Sequence, residues 1–247
     1  MAPTRSIPAV AECSKAHCAP IFSGLRDEEF AELQGLMVPI DYEAGELIHQ
    51  EGMPANGIYV ICKGLVKYGK YSGDRSRKRI LKILGARDLL GLGELFYPDP
   101  CSLSGFAKTL EETKVVFIEK REFLDFLEDH PQVLSAVAER LSRELAVYEC
   151  KLVELAYESM KVNLARLLLI LARRFGVKRE EGVEIEFNRS DLAEFAGTHI
   201  DTVIRSLARL KEKGLISTHY HKIKILDEAG LEAEASPITT CLRENLF

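Results

Sequence analysis

The chain has 247 residues, of which 47% are hydrophobic and 29% charged, and its formal net charge is −5. This length suits two domains with separate cores, and the composition is that of a folded globular protein. Its longest helical apolar cluster, residues 164–175, contains three arginines and falls short of the ~20 apolar residues of a membrane span. The N-terminus has no secretory signal pattern, so we expect a cytoplasmic protein without a membrane segment.

The first half of the chain predicts an arm and a set of short strands. Residues 1 to about 35 contain Cys13 and Cys18 and then an amphipathic stretch, 25–36, that predicts a short helix. From about residue 37 to 119, short apolar runs alternate with closely spaced glycines. Glycine accepts a positive φ in tight turns, so this region predicts an antiparallel sandwich or barrel.

A long helix is predicted from Pro131, because proline is favoured in the first turn of a helix. Its apolar positions recur every 3.5 residues on average, which is typical of a helix that packs against an identical helix in a parallel coiled coil. The alternative is a helix packed on its own domain. The seam consists of Leu134, Ala138, Leu141, Leu145, Tyr148, Leu152 and Leu155.

The last third of the chain predicts a helix-turn-helix unit. A helix at 161–175 and a strand at 183–187 precede a helix that Asn188 can cap. Gly197 permits a tight turn, and a second helix, about 199–213, leads to two β-prone pieces at 215–218 and 223–226. Residues 188–226 contain seven Lys and Arg against four Asp and Glu. The tail from Asp227 is acidic and unpatterned, and we expect it to be dispensable for folding.

The second helix of such a unit places its N-terminal residues in the major groove of DNA. Arginine can donate two hydrogen bonds to guanine, and a carboxylate can accept one from cytosine. An ordinary helical hairpin with a solvated charged face is the alternative. The expected base contacts are Asp201 and Arg205, with His199, Ile200 and Ile204 as neighbours. The expected contacts to the DNA backbone are Arg189, Thr202, Lys211, His219, His221 and Lys222.

Several motifs together resemble the Crp/Fnr family of bacterial regulators across nearly the whole chain. They are Gly45-Glu46-Leu47-Ile48, Glu51-Gly52, Gly57-Ile58-Tyr59-Val60, Gly64, Gly93-Glu94-Leu95 and the helix-turn-helix segment. The resemblance implies an α+β protein with a cyclic-nucleotide-binding-type β-roll (a jelly roll) in residues 1–130. It also implies a dimerisation helix at 131–158 and a winged helix-turn-helix domain with an acidic tail at 159–247.

The recognition helix of that family typically carries Glu, Thr, Val or Ile, a variable residue and then Arg. The matching segment here is Asp201-Thr202-Val203-Ile204-Arg205. Aspartate in place of glutamate is a departure, and its shorter side chain puts the family's usual half-site sequence in doubt.

The resemblance also implies an effector pocket formed by Gly93, Glu94, Leu95 and Ser104. In the family, cyclic AMP is held through a Gly-Glu-Leu segment and, some ten residues later, an Arg-Ser pair that binds the phosphate. Residues 96–107 contain no arginine. A buried phosphate without a cationic partner is poorly compensated, so cyclic AMP is disfavoured and Glu94 is expected to be structural.

The cysteines leave the signal open. Cys13 and Cys18 resemble the cysteine-rich arm of the Fnr branch, which carries an iron–sulfur cluster on four thiolates. Cys62 or Cys101 would have to complete such a metal site. A reversible thiol switch at Cys13 and Cys18, simple remnant cysteines, and haem or another small molecule in the β-roll are the alternatives.

The expected partners are double-stranded DNA, a second copy of the chain and RNA polymerase. A signal in the β-roll would change the register or crossing of the paired long helices and hence the spacing of the recognition helices. Rival functions are a nucleotide-binding module of a partner enzyme or channel, and a redox enzyme. The chain has no P-loop, GxSxG, HExxH or CxxC motif, so we expect no enzyme activity. The scattered histidines His17, His49 and His130 are expected at the surface.

Overall fold

A computed structural model describes residues 18–75, 77–157, 160–180 and 182–235, without the side chains of residues 153–163. The chain divides into two compact units. After the functions expected from the sequence, we call them the sensor unit (Met1–Arg77 and Leu81–Ser142) and the DNA-binding unit (Lys78–Ile80 and Arg143–Phe247). Within the described ranges, no helix is both long enough and apolar enough to cross a membrane.

The sensor unit is built on eight strands in two four-stranded sheets, with the orders β1-β8-β3-β6 and β2-β7-β4-β5. The pairs β1–β8 and β3–β8 are antiparallel, and β3–β8 runs from Gly57 opposite Glu119 to Lys63 opposite Lys114. The predicted sandwich of short strands is therefore confirmed. The strands are β1 Val38–Tyr42, β2 Leu47–His49, β3 Gly57–Lys63, β4 Val66–Tyr71, β5 Lys78–Leu84, β6 Leu89–Leu90, β7 Phe106–Thr109 and β8 Thr113–Glu119.

Two helices cover the first sheet and complete the core of the sensor unit. Helix α1 spans Asp27–Leu36, and helix α2 spans Lys120–Asp129. The carboxylate of Glu119 caps α2. It accepts hydrogen bonds from the backbone N–H groups of Arg121 at 2.7 Å and Glu122 at 3.0 Å. In the core, the rings of Phe22 and Phe123 meet edge to face with centroids 6.1 Å apart.

Helix α3 spans Pro131–Tyr157, and α4 follows at Met160–Phe175. Both start and end within a residue or two of the sequence-based prediction. Near its start, α3 buries Val133 and Val137 in the core of the sensor unit.

The DNA-binding unit places the four helices α4 to α7 around a small sheet with the order β11-β12-β10-β9. One face of this sheet is buried through alternate residues such as Ile185 and Ile223, which face each other across the β10–β12 pair. The other face carries Glu184, Glu186 and their cross-strand lysine partners. The elements are β9 Val177–Arg179, β10 Gly182–Glu186, α5 Arg189–Ala196, α6 Ile200–Glu212, β11 Ile216–His219, β12 Lys222–Ile225 and α7 Glu228–Glu234.

The interpretation of the tail as unpatterned is wrong for its first residues, which form the capped helix α7. Asp227 caps α7 by accepting the N–H of Gly230 at 2.9 Å, and the side chain of Leu231 is completely buried. Glu228 and Glu232 both pair with Arg173 on α4, the former at 3.0 Å. A single buried leucine in an acidic segment carries too little periodicity to predict a helix. Residues 236–247 lie outside the described residues.

The prediction of surface histidines is wrong for two of the three, since His49 is 3% exposed and His130 is 6% exposed. The irregular pairing of β2 with β7 leaves both Ile48 and His49 buried. His130 stacks on Phe126 with ring centroids 4.0 Å apart, and its Nδ1 lies 2.9 Å from the Phe126 carbonyl oxygen. His17 lies outside the described residues.

Candidate DNA interface and sensor pocket

The first helix of the helix-turn-helix, α5, starts and stops where the sequence predicts. Asn188 Oδ1 accepts the backbone N–H of Asp191 at 2.7 Å, while the Asn188 amide donates to Asp191 Oδ2 at 2.7 Å. Gly197 ends the helix with φ +69°, in the left-handed region that favours glycine. This geometry lets α6 begin after only three residues.

Helix α6 has a buried face and an opposite exposed face. Val203, Leu207 and Leu210 are 0, 3 and 1% exposed and hold the helix on its unit. The predicted base-contact residues all lie at exposed positions in and before its first two turns, and they are His199, Ile200, Asp201, Ile204 and Arg205. Arg205 Nη2 lies 3.4 Å from the hydroxyl of half-buried Thr202, one turn earlier. The structure therefore brings the predicted base readers together on one helix face.

The hairpin β11–β12 forms a wing beside the helices. At its tip Tyr220 is 84% exposed and has φ +48°. His219 and His221, on either side of it, are also exposed. Lys222 Nζ lies 3.2 Å from Glu184 Oε1, and this hydrogen bond lowers the pKa of the Glu184 carboxyl. Lys222 thus has a carboxylate partner in the absence of DNA.

The two remaining predicted backbone contacts differ in exposure. Arg189 is half-buried at the start of α5, its Nη1 lies 3.5 Å from the Phe187 carbonyl oxygen, and burial lowers the pKa of its guanidinium. Lys211, in the last turn of α6, is exposed. Lys211 is therefore open to a phosphate, whereas Arg189 would have to leave its carbonyl partner.

The predicted effector pocket contains a buried carboxylate that is already hydrogen-bonded. Glu94 is 8% exposed, and its Oε1 accepts from the Ser104 hydroxyl at 2.5 Å and the Ser104 N–H at 3.2 Å. The hydroxyl of Tyr68 lies 3.3 Å from Ser104 Oγ. Of the other two predicted pocket residues, Leu95 is buried and Gly93 is exposed.

His49 belongs to the same polar interior and was missed by sequence reasoning. Its ring centroid lies 6.3 Å from those of Tyr59 and Tyr68. Burial lowers the pKa of His49, whereas the nearby charge of Glu94 and a contact with the Gly105 backbone oppose this shift. Burial therefore favours the neutral form of the imidazole. A histidine next to Ile48 in a three-residue strand gave no period-2 signal that could have revealed this.

A buried lysine fixes the segment that joins Glu94 to Ser104. Lys120 Nζ donates to Asp99 Oδ1 at 2.7 Å and to the Tyr97 carbonyl oxygen at 2.8 Å, and it lies 3.7 Å from Cys101 Sγ. The hydrogen bond to Asp99 raises the pKa of Lys120, which keeps it charged. This lysine therefore orders the loop and is already committed to protein partners.

Comparison with known proteins assigns both units. Residues 39–130 match the cyclic nucleotide-binding domain, and residues 163–234 match the Crp-like helix-turn-helix domain. The chain belongs to the Crp/Fnr family of transcription regulators. It is thus a DNA-binding transcription regulator with a cyclic-nucleotide-binding-like sensor domain.

Relatives of this Crp/Fnr chain share about a quarter of its residues. A CRP-like cAMP-activated global transcriptional regulator of Mycobacterium tuberculosis is 27% identical over 219 residues, covering 88% of this chain and 96% of the relative. The anaerobic regulatory protein of Bacillus subtilis is 28% identical, covering 85% of this chain and 90% of that protein. A solved CRP-family transcriptional regulator from Thermus thermophilus has a TM-score of 0.70 at 26% identity, covering 81% of this chain and 98% of that one.

The predicted dimer seam on α3 is largely open to solvent in the single chain. Leu134, Leu145 and Leu152 are 41, 61 and 68% exposed. Ala138 is exposed as well, and Leu141 and Tyr148 are half-buried. The side chain of Leu155 lies outside the described residues.

The cysteines of this Crp/Fnr chain do not assemble into a described metal site. Cys18 is buried, Cys62 Sγ lies 3.9 Å from the Val60 carbonyl oxygen, and Cys101 Sγ lies 3.8 Å from that of Glu94. Within the described ranges, no three Cys, His, Asp or Glu side chains are grouped as metal ligands. A cluster that needs Cys18, Cys62 and Cys101 together does not fit this arrangement. Cys13 lies outside the described residues.

Proposed function

We propose that this regulator is a homodimer that binds double-stranded DNA sequence-specifically through α6 and responds to a signal other than cyclic AMP. The observation that carries the proposal is the exposed face of α6, where Asp201 and Arg205 stand one helical turn apart near the N-terminus. That end of a recognition helix enters the major groove. The protein would act in the cytoplasm, and we assign it no enzymatic reaction.

Arg205 and Asp201 are the proposed base readers. Arg205 has the length and the paired donors to bind guanine O6 and N7, and Asp201 can accept from the amino group of cytosine. His199 stands beside them. Thr202, Arg189, Lys211 and the wing residues His219, His221 and Lys222 are proposed to contact phosphates, which fix the position of the helix but do not specify sequence.

Dimerisation is proposed to occur through the exposed leucine stripe of α3. Leucines at 3.5-residue spacing bury their side chains when two such helices pack in parallel. A twofold dimer places two recognition helices in major grooves about one DNA turn, or ~34 Å, apart. An ion pair between Arg140 on α3 and the buried Asp88 in the β-roll, at 3.5 Å, provides a contact through which a change in the β-roll would reach the helix.

The name of the Mycobacterium tuberculosis relative suggests cyclic AMP as the signal, but the residues of this β-roll fit that ligand poorly. The loop that would hold the cyclic phosphate, residues 96–107, carries no arginine, and the Ser104 hydroxyl is bound to Glu94. An anionic phosphate next to a buried carboxylate is destabilised unless a cation lies between them. We therefore propose another small molecule, or a redox change at Cys13 and Cys18, as the signal.

Activation of transcription would add RNA polymerase as a partner. Haem also remains a candidate for the β-roll. An iron–sulfur cluster is the less favoured redox option, because the described cysteines do not converge.

The proposal is tested with purified protein by light scattering and by anisotropy of labelled duplexes selected from a random pool. We expect a dimer and a selected sequence with two half-sites. Leu145→Glu with Leu152→Glu should give a monomer and weaken binding at least a hundredfold, whereas Glu149→Lys, at an exposed position outside the seam, should not. Adding cyclic AMP should leave the affinity unchanged. A monomeric wild type or failure to select a sequence would refute the dimer or the DNA-binding role, and tighter binding with cyclic AMP would refute the assignment of the signal.

A further inference from the structure

We infer that Ile200 and Ile204 read thymine C5-methyl groups next to the bases contacted by Asp201 and Arg205. The inference rests on the proposed role of α6 in DNA binding and names what this part of the helix recognises. The two isoleucine side chains are 44% and 48% exposed. Because they are neighbours on the helix surface, they form a contiguous apolar patch among mostly charged side chains, and such a patch marks an interaction site.

The isoleucines are not needed for the core of their unit. The buried stripe of α6 is complete with Val203, Leu207 and Leu210, which are at most 3% exposed. Positions 200 and 204 are four residues apart, so they form a row along the helix. This row runs beside the row of Asp201 and Arg205, and both rows start in the first turn. Any groove that admits Arg205 therefore also meets Ile204.

The chemistry of the major groove selects the partner of these side chains. Every base pair presents hydrogen-bond donors or acceptors there, and the C5-methyl group of thymine is the apolar feature. Isoleucine has no polar atom in its side chain, so over a cytosine amino group or a guanine oxygen it would displace water without replacing its hydrogen bonds. Over a thymine methyl it buries apolar surface on both partners. The pair therefore favours thymine and disfavours unmodified cytosine.

The distance between Ile200 and Ile204 also limits the distance between the two thymine methyl groups that they can contact. Four helical residues rise about 6 Å, which is on the order of two base-pair steps of ~3.4 Å. We therefore expect the two isoleucines to meet methyl groups on nearby base pairs of one half-site, beside the guanine of Arg205.

The experiment replaces each thymine of a selected duplex, one at a time, by deoxyuridine, which removes only the methyl group. With the wild-type protein, we expect the affinity to fall about three- to fivefold at one or two thymines per half-site, as burial of a single methyl group predicts. Ile204→Ala should abolish the effect at one of these positions, and Ile200→Ala should abolish it at another. Leu226→Ala, which truncates an exposed aliphatic side chain outside α6, is the matched control and should preserve the full pattern.

The outcomes separate this inference from the function on which it rests. If no sequence is selected, the proposed sequence-specific binding fails. If a sequence is selected but deoxyuridine has no effect at any position, or the effect persists in both isoleucine variants, methyl reading is overturned while DNA binding stands. The deoxyuridine series on the wild type gives this result even if a variant folds poorly. Restoring the affinity by 5-methylcytosine opposite guanine at a sensitive position would add direct support for recognition of the methyl group.

Discussion

The DNA-binding unit and the sensor unit differ in the exposure and hydrogen bonding of their functional polar side chains. On α6, Asp201 and Arg205 stand in solvent with open hydrogen-bonding capacity. In the β-roll, Glu94 is buried and receives two hydrogen bonds from Ser104, and Lys120 binds Asp99 and the Tyr97 carbonyl oxygen. One unit is prepared to bind a partner from solution, whereas the other has largely paired its own polar groups.

This difference shows why similarity to a family predicts the DNA contacts of a chain better than it predicts the ligand of its sensor pocket. A recognition helix must expose its readers, so matching residue types at matching positions can perform the same contacts. A ligand pocket depends on a few buried charges, and the loss of one cation changes which ligand it accepts. Substitutions in the DNA-binding unit should therefore change affinity, and those in the sensor pocket should change stability.

Among the variants that test this comparison, we expect the largest effect from Arg205→Ala, on the affinity for DNA. Loss of a bidentate contact to guanine costs about 1–3 kcal/mol, or roughly ten- to a hundredfold in affinity, and relaxes the preference at one base pair. The midpoint of thermal unfolding should stay within about a degree, because Arg205 is exposed. Arg209→Ala, one turn later, is the control and should cause a smaller loss that is equal for all sequences. A drop in stability without a change in base preference would contradict the assignment.

A smaller effect is expected from Ser104→Ala in the sensor unit. It removes one of the two donors to the buried Glu94 carboxylate, which should lower the free energy of unfolding by about 1–2 kcal/mol. Denaturant unfolding of the full chain, followed by probes in each unit, measures this loss. Ser102→Ala, at an exposed position of the same loop, should change the free energy by less than about 0.5 kcal/mol. Equal effects of both variants would show that the Glu94 contacts do not stabilise the pocket.

The smallest effect concerns the dependence of stability on pH. Burial lowers the pKa of His49, so below the ordinary histidine pKa of about 6.5 the unfolded chain binds a proton that the folded chain does not. The contribution of His49 to stability is thus complete above about pH 6.5 and is lost as the pH falls toward the folded pKa. His49→Phe should reduce the loss of stability between pH 7 and 5, measured by thermal unfolding, whereas His219→Phe on the exposed wing should not. An unchanged pH profile in His49→Phe would argue against the buried neutral imidazole.

The sequence predicted those parts of the fold in which local rules and tertiary structure agree. The cap at Asn188 and the turn at Gly197 each follow from one strong local preference, and both lie where they were expected. In the β-roll, the sequence predicted that residues 37–119 form short antiparallel strands. It did not give the bounds of strands such as β6, because two residues carry no period.

The features that the sequence did not predict depend on contacts between residues that are distant along the chain. The burial of His49 depends on the irregular β2–β7 pairing and on two tyrosines from other strands, which no local pattern encodes. Helix α7 depends on the fit of Leu231 and on Arg173 of α4, some 55 residues earlier in the chain. In the effector pocket the absence of an arginine was readable from the sequence, but the bonds between Ser104 and Glu94 required the structure.

Helix α7 affects the order in which the two units can fold during synthesis of the chain. Because Leu231 fills the core of the DNA-binding unit, that unit is incomplete until residues up to Ala235 have left the ribosome. The sensor unit ends at Ser142 and can close much earlier. At 5–20 residues per second the interval is about 5–20 s. A nascent chain can therefore complete its sensor unit before the last residues that the DNA-binding unit needs have emerged.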